Sequence, residues 1–167
     1  IGTEICKLYS GVSWHHNIIV IDNRFISERV SKIRNWNMQF IHGDILDKDL
    51  VESQFKDADI VHHLAGITDV PRTKSESSNL KDEKIIEVGV EGTKNILSVI
   101  SNKCKIIFPS THVVFEGIKE VKKDIKEDEK TKPVLSYASS KAINEKQLKE
   151  SGKNFIILRL VSVYGYS

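Results

Sequence analysis

Two side chains of this sequence, Tyr137 and Lys141, are spaced so that the lysine can tune the tyrosine for proton transfer to a substrate. On a helix, positions i and i+4 share a face, so the phenol and the ammonium would stand one turn apart. A nearby ammonium favours phenolate and draws a tyrosine pKa down from its usual value of about 10. Such a tyrosine can serve as general acid or base on a substrate hydroxyl or carbonyl. The spacing alone is a weak signal, because a lysine-rich chain produces Tyr-x-x-x-Lys by accident. Ser110-Thr111 strengthens it. A hydroxyl ending a strand opposite the tyrosine would orient the same substrate oxygen, although Thr111 also reads as an ordinary β-branched strand residue.

Three further clusters suit a dinucleotide. Asp22 ends a short apolar run, which puts its carboxylate at the carboxyl edge of a strand, where open α/β sheets bind ligands. An acid there accepts hydrogen bonds from an adenosine ribose and repels a 2′-phosphate, favouring NAD over NADP. Arg24 softens that preference, and a simple turn at Asp22-Asn23 is the plainer reading. Gly43-Asp44-Ile45 follows the next run. Asp44 could reach an adenine amino group with Ile45 packed on the ring, or the segment could simply lead into a helix capped by Asp47. In His62-His63-Leu64-Ala65-Gly66, adjacent strand histidines point to opposite faces and cannot chelate one metal together. The small Ala65 and Gly66 leave room for a flat cofactor near the backbone.

The elements that must carry these residues alternate regularly. Short β-branched runs near 17–22, 38–42, 58–64, 104–110 and 154–160 read as strands. The first of them is a continuous apolar run, as in a strand buried on both faces. Helical patterns lie near 2–10, 26–34, 47–56, 80–101 and 136–151. This alternation predicts a parallel sheet with crossover helices. Two connections are long: 66–79, with Gly66, Pro71 and a polar run from Thr73, and 116–133, dense in Lys and Glu. Such loops often border a ligand crevice, but the second reads better as a solvated excursion.

The bulk properties bound the answer. A chain of 167 residues suffices for one domain with a core. Its net charge of +2 gives no case for nucleic acid or a membrane surface as partner. No apolar run reaches bilayer length, and no leader opens the chain. Cys6 and Cys104 stand in no metal or redox spacing and read as small buried hydrophobes, which fits a reducing, cytoplasmic setting. The chain opens at Ile1 directly into helical sequence and closes on Tyr164-Gly165-Tyr166-Ser167, so both ends look cut.

Taken in order, Asp22, Gly43-Asp44, His63-Leu64-Ala65-Gly66, Gly92-Thr93, Ser110-Thr111 through Phe115, Tyr137-x-x-x-Lys141, and Arg159 with Val163-Tyr164-Gly165 resemble the extended short-chain dehydrogenase/reductases. Within these the resemblance is to the NAD-dependent epimerase/dehydratase group that acts on nucleotide sugars. It spans nearly the whole chain, and it implies a Rossmann domain holding NAD(P), with a smaller C-terminal substrate domain. The resemblance implies that Thr111 binds the reacting oxygen and that Tyr137 exchanges the proton. It implies that Lys141 lowers the tyrosine pKa and binds the nicotinamide ribose. Residues 159–164 would then form the wall beside the nicotinamide.

The departures from that pattern matter as much. Of the family's glycine-rich turn only Ile1-Gly2 remains, so residues 1–167 are expected to be a partial Rossmann domain without its first strand, its phosphate cradle or the substrate domain. Such a fragment should bind NAD poorly and be inactive. Gly2 would then serve close packing of helix on strand. His112 and Val113 stand where dehydratases of the family carry an acidic pair, which ranks epimerase above dehydratase. Gly89 replaces a usual asparagine, and Phe115 a common tyrosine. The expected parent is a nucleoside-diphosphate-sugar epimerase, with a net reductase or dehydrogenase, or a non-catalytic cofactor-binding module, as alternatives. A homodimer through the 80–101 and 136–151 helices is expected.

Overall fold

The computed structural model describes residues 1–68, 78–120 and 123–164. Pro71, the polar run from Thr73 to Ser77, and Gly165 lie outside the described residues. In chain order the elements are α1 (Gly2–Tyr9), β1 (Ile19–Asp22), α2 (Ser27–Asn35), β2 (Gln39–His42), α3 (Lys48–Phe55) and β3 (Ile60–His62). They continue with α4 (Asn79–Ile86), α5 (Gly92–Val99), β4 (Lys105–Thr111), α6 (Ser136–Glu150) and β5 (Asn154–Leu160). Every strand pair is parallel, as crossover helices require. The Rossmann-like α/β architecture expected from the sequence is present, in two pieces. β1 pairs with β2, and β3, β4 and β5 form a second sheet in that order. Among the described residues, β1 and β3 each keep one edge without a strand partner.

Two apolar clusters divide the molecule in the same way. The larger packs Val51 of α3, Ile96 of α5 and Leu148 of α6 against Val61, Ile106 and Phe108 of the three-stranded sheet. The smaller joins Cys6 of α1, Ile33 of α2 and Met38 beneath Val20 and Phe40. Both cysteines are buried free thiols, and burial pushes each thiol pKa up. α1 bridges the halves: the Tyr9 hydroxyl and His62 Nε2 are 3.0 Å apart, and Gly2 lies against Leu64.

Two expectations need correction. β1 is only partly buried, because Val20 packs under α1 and α2 while Ile19 and Ile21, on the opposite face, join neither cluster. β5 behaves alike: Phe155 and Ile157 pack inward, while Ile156 and Leu158 remain 41% and 44% exposed. The helix anticipated over 80–101 is also not uniform. Between α4 and α5, residues Glu87–Glu91 form a π-helical turn. Gly89 sits within it because a Cβ there would strike Ser140 Oγ on α6. The Thr93 hydroxyl bonds back to the Gly89 carbonyl at 2.7 Å. Single π turns inside α-helices are frequent near functional sites.

Candidate active site

Tyr137 lies in the first turn of α6, and its start is fixed from the loop before it. Two backbone donors there share one oxygen: Glu116 Oε1 accepts the Val134 and Leu135 N–H groups at 2.7 and 2.6 Å. A carboxylate there answers orphan N–H donors and suits the positive end of the helix. Among its described residues the 116–133 connection is mostly exposed, and it is tied down at both ends. The Gly117 N–H donates to the Lys132 carbonyl, and the Lys132 N–H donates to the Val114 carbonyl.

Tyr137 and Lys141 line one cleft together with Leu64, Ala65, Gly66 and Asn144. Among the described residues, a Cβ built on Gly66 would meet nothing within 4 Å, which leaves that backbone open to a flat ligand. Lys141 Nζ donates to the Pro109 carbonyl at 3.0 Å and stands 4.4 Å from the centre of the Phe108 ring. It lies 5.9 Å from the Tyr137 ring centre. Burial pushes the lysine down to about 8. Burial also pushes the Tyr137 phenol up rather than down, and the neighbouring ammonium is turned toward the Pro109 carbonyl. Tyr137 and Lys141 share one helix face, but the lowering of the phenol pKa expected from their spacing is not found: burial raises it.

Thr111 ends β4, 8% exposed, and its hydroxyl accepts the Val113 N–H at 3.3 Å to cap a 3₁₀ turn, His112–Phe115. It is two residues beyond the carbonyl that holds Lys141. His112 is exposed, with Nδ1 3.2 Å from the Leu160 carbonyl, and neither it nor Val113 offers a carboxylate.

The remaining candidates lie at neighbouring strand ends. Asp22 is exposed at the end of β1, where Oδ1 accepts the Arg24 N–H at 2.8 Å. Asp44 accepts from Leu46 N at 2.9 Å and from Asn23 Nδ2 at 3.0 Å. Partial burial opposes its ionisation, but these donors and the Lys84 charge hold its carboxyl below the usual range. Ile45 belongs to the core: it is 7% exposed and occupies the space a Cβ on Gly92 would need. Gly2 makes only ordinary contact, its notional Cβ standing 3.5 Å from Leu64 Cδ1.

The two histidines do diverge, His62 toward α1 and His63 toward α5. His63 Nε2 lies 2.8 Å from the Thr93 hydroxyl, whose own proton goes to Gly89. The ring must therefore donate through Nε2, leaving Nδ1 without a partner among the described residues. Burial first, and the Lys141 charge second, push its pKa down to about 3.

Sequence reasoning missed Glu145. It is 2% exposed and receives Ser110 Oγ at 2.6 Å and Arg159 through Nε at 3.0 Å and Nη2 at 2.7 Å. Its spacing was the available signal, since 137, 141 and 145 fall on one helical face.

The whole chain, residues 1–167, matches the NAD dependent epimerase/dehydratase family. The chain belongs to that family. It is 30% identical over 186 aligned residues to a dTDP-D-glucose 4,6-dehydratase of Dictyostelium discoideum, covering 99% of this chain and 42% of the relative. Among solved structures it resembles the Bordetella bronchiseptica enzyme WbmH in complex with NAD+. There the identity is 26% and the TM-score 0.79, over 99% of this chain and 53% of that one. It also shares the fold of the UDP-glucuronic acid 4-epimerase of Bacillus cereus in complex with NAD, at 24% identity and a TM-score of 0.77, over 99% of this chain and 54% of that one. This family member spans about half the length of those structures and less of its curated relatives. Among its described residues no helix is long and apolar enough to cross a membrane.

Proposed function

We propose that this chain carries the NAD site and the proton-transferring residues of a nucleoside-diphosphate-sugar epimerase working in the cytoplasm. The observation that carries the reading is the shared cleft: Tyr137 and Lys141 on α6 face the open backbone of Ala65 and Gly66 at the end of β3. These residues fit a flat dinucleotide, and Asn144 adds a buried amide whose oxygen has no partner among the described residues. Asp22 would hold the adenosine ribose, which favours NAD over NADP, while Gly2, Asp44 and Leu64 would wall the adenine and pyrophosphate side; Ile45, packed into the core, would not reach the ring. NAD would supply the acceptor and later donor of a hydride from the sugar carbon. Tyr137 takes the hydroxyl proton as that hydride leaves and returns it when the carbonyl is reduced from the other face. Thr111 holds the reacting oxygen, and Lys141 binds the nicotinamide ribose. The cycle leaves no net redox change.

A dehydratase is the second reading, favoured by the Dictyostelium relative. It needs carboxylates to eliminate water, and His112 and Val113 supply none. A net reductase would consume NADH or NADPH. Incubating the full-length protein with UDP- and GDP-sugars separates the three: an epimer without change in nicotinamide absorbance is expected. Tyr137→Phe should abolish turnover, on the order of a thousandfold loss, and leave NAD binding within a few fold. Undiminished turnover in that variant would sink the assignment. The exposed faces of α4 and α6, with Leu80 81% and Ile143 40% exposed, suit a homodimer. Light scattering of the full-length protein at micromolar concentration should report twice the chain mass.

A further inference from the structure

We propose that Glu145, paired with Arg159, is a positioning residue that clamps α6 to the carboxyl end of β4 and keeps the Lys141 amine seated against Pro109 and Phe108. This deepens the preceding reading, because Lys141 matters to turnover only if that reading holds.

The clamp is built from three elements. Ser110 and Arg159 are direct register partners on β4 and β5, and both side chains reach up to the same carboxylate on α6. Ser110 Oγ and Arg159 Nε share Oε1, while Arg159 Nη2 takes Oε2. A bidentate guanidinium pair fixes orientation as well as distance. Burying an ion pair brings little net stability compared with apolar packing, so a geometric role is the better account of this pair. Arg159 Nη1 also donates to the Glu127 carbonyl at 3.0 Å, and its guanidinium stands 4.9 Å from the Phe115 ring centre.

Register explains why this reaches Lys141. Consecutive residues of β4 meet successive turns of α6: the Pro109 carbonyl takes Lys141, and Ser110 takes Glu145. Sliding or rotating α6 would break both ties together. The charged and titratable groups around the Lys141 amine are Tyr137 on its own helix and His63 from the end of β3.

The test is competitive acylation of lysines across a pH range, read residue by residue by mass spectrometry on the chain itself. It needs no turnover. Lys146, with its side chain 73% exposed, serves as the open reference. Lys153, whose amine is held by the Ile100 carbonyl and Asn102 at the far end of the sheet, reports general loosening. Glu145→Gln should raise the Lys141 midpoint by about one pH unit and its limiting rate about tenfold relative to Lys146, with Lys153 unchanged. Simple electrostatics predicts the opposite sign, since losing the carboxylate leaves the Arg159 charge unbalanced and would lower the midpoint. A falling or unchanged midpoint, or Lys153 moving equally, overturns the clamp. Ser110→Ala should shift Lys141 the same way by less, and decides the matter alone if Glu145→Gln fails to fold. The functional reading fails by a different result, retained turnover in Tyr137→Phe.

Discussion

At the scale of single residues, the site is a place where charge is kept out of water. Lys141 and His63 flank the Phe108 ring, at 4.4 Å from amine to ring centre and 5.5 Å between ring centres, and burial disfavours the charged form of both. For His63 the consequence is a pH dependence of stability. Its folded pKa, about 3, is below the ordinary 6.5, so the unfolded chain binds the extra proton first. Stability therefore rises with pH across that window and falls as pH drops from about 6.5 toward about 3. The loss should amount to roughly 2–4 kcal/mol at the acid end. Glu145, held below its usual value against burial by Arg159 and Ser110, adds to the loss at lower pH. Urea denaturation between pH 7 and pH 4 should show the slope, and His63→Gln should flatten it. An equal slope in that variant would assign the acid sensitivity elsewhere.

At the scale of elements, small residues set how closely helices approach. Gly92, at the start of α5, is buried against Ile45, and a Cβ there would overlap Ile45 Cδ1 and lie 2.7 Å from Cγ1. Alanine normally helps a helix by about 1 kcal/mol over glycine. Here overpacking should reverse the sign, and Gly92→Ala should cost about 1–3 kcal/mol. Ile45→Val in the same chain should recover part of that cost, which a double-mutant cycle by chemical denaturation would measure. Strictly additive effects would mean that the two side chains do not collide. The periodicity of 80–101 announced a helix and placed Gly89 and Gly92 within it. It could not announce the π turn, because that turn follows from how Gly89 meets Ser140 and how Thr93 bonds back to its carbonyl.

At the scale of the whole molecule, two unequal cores share one chain. Among the described residues, the cluster under β1 and β2 has three buried members, and the one under β3–β5 has ten. Burial contributes about 25 cal/mol per Å² of apolar surface, so the smaller unit should open at lower free energy. Amide hydrogen exchange should show α1, β1, α2 and β2 exchanging at least tenfold faster than β4 and α6. Uniform protection would mean that Tyr9–His62 and the packing around Leu64 bind the halves into one cooperative unit. NAD bound at Asp22 and at Ala65-Gly66 together would bridge the units, and under the proposed reading it should slow exchange in the smaller one most.

The sequence by itself determined the alternation of strands and helices, the parallel sense of the strands, and the likeness to a nucleotide-sugar family. Hydrophobic period and strand-end chemistry are local properties, written in runs of a few residues. It also determined that Tyr137 and Lys141 share a helix face, because helical geometry alone fixes i and i+4. Tertiary structure decided where those groups point and what they touch. Lys141 turned to Pro109, Ile45 went into the core, and Glu145 met Ser110 and Arg159, which are 35 and 14 residues away. Each outcome depends on which strand end packs beneath which turn of α6, a relation between distant segments that no local pattern encodes.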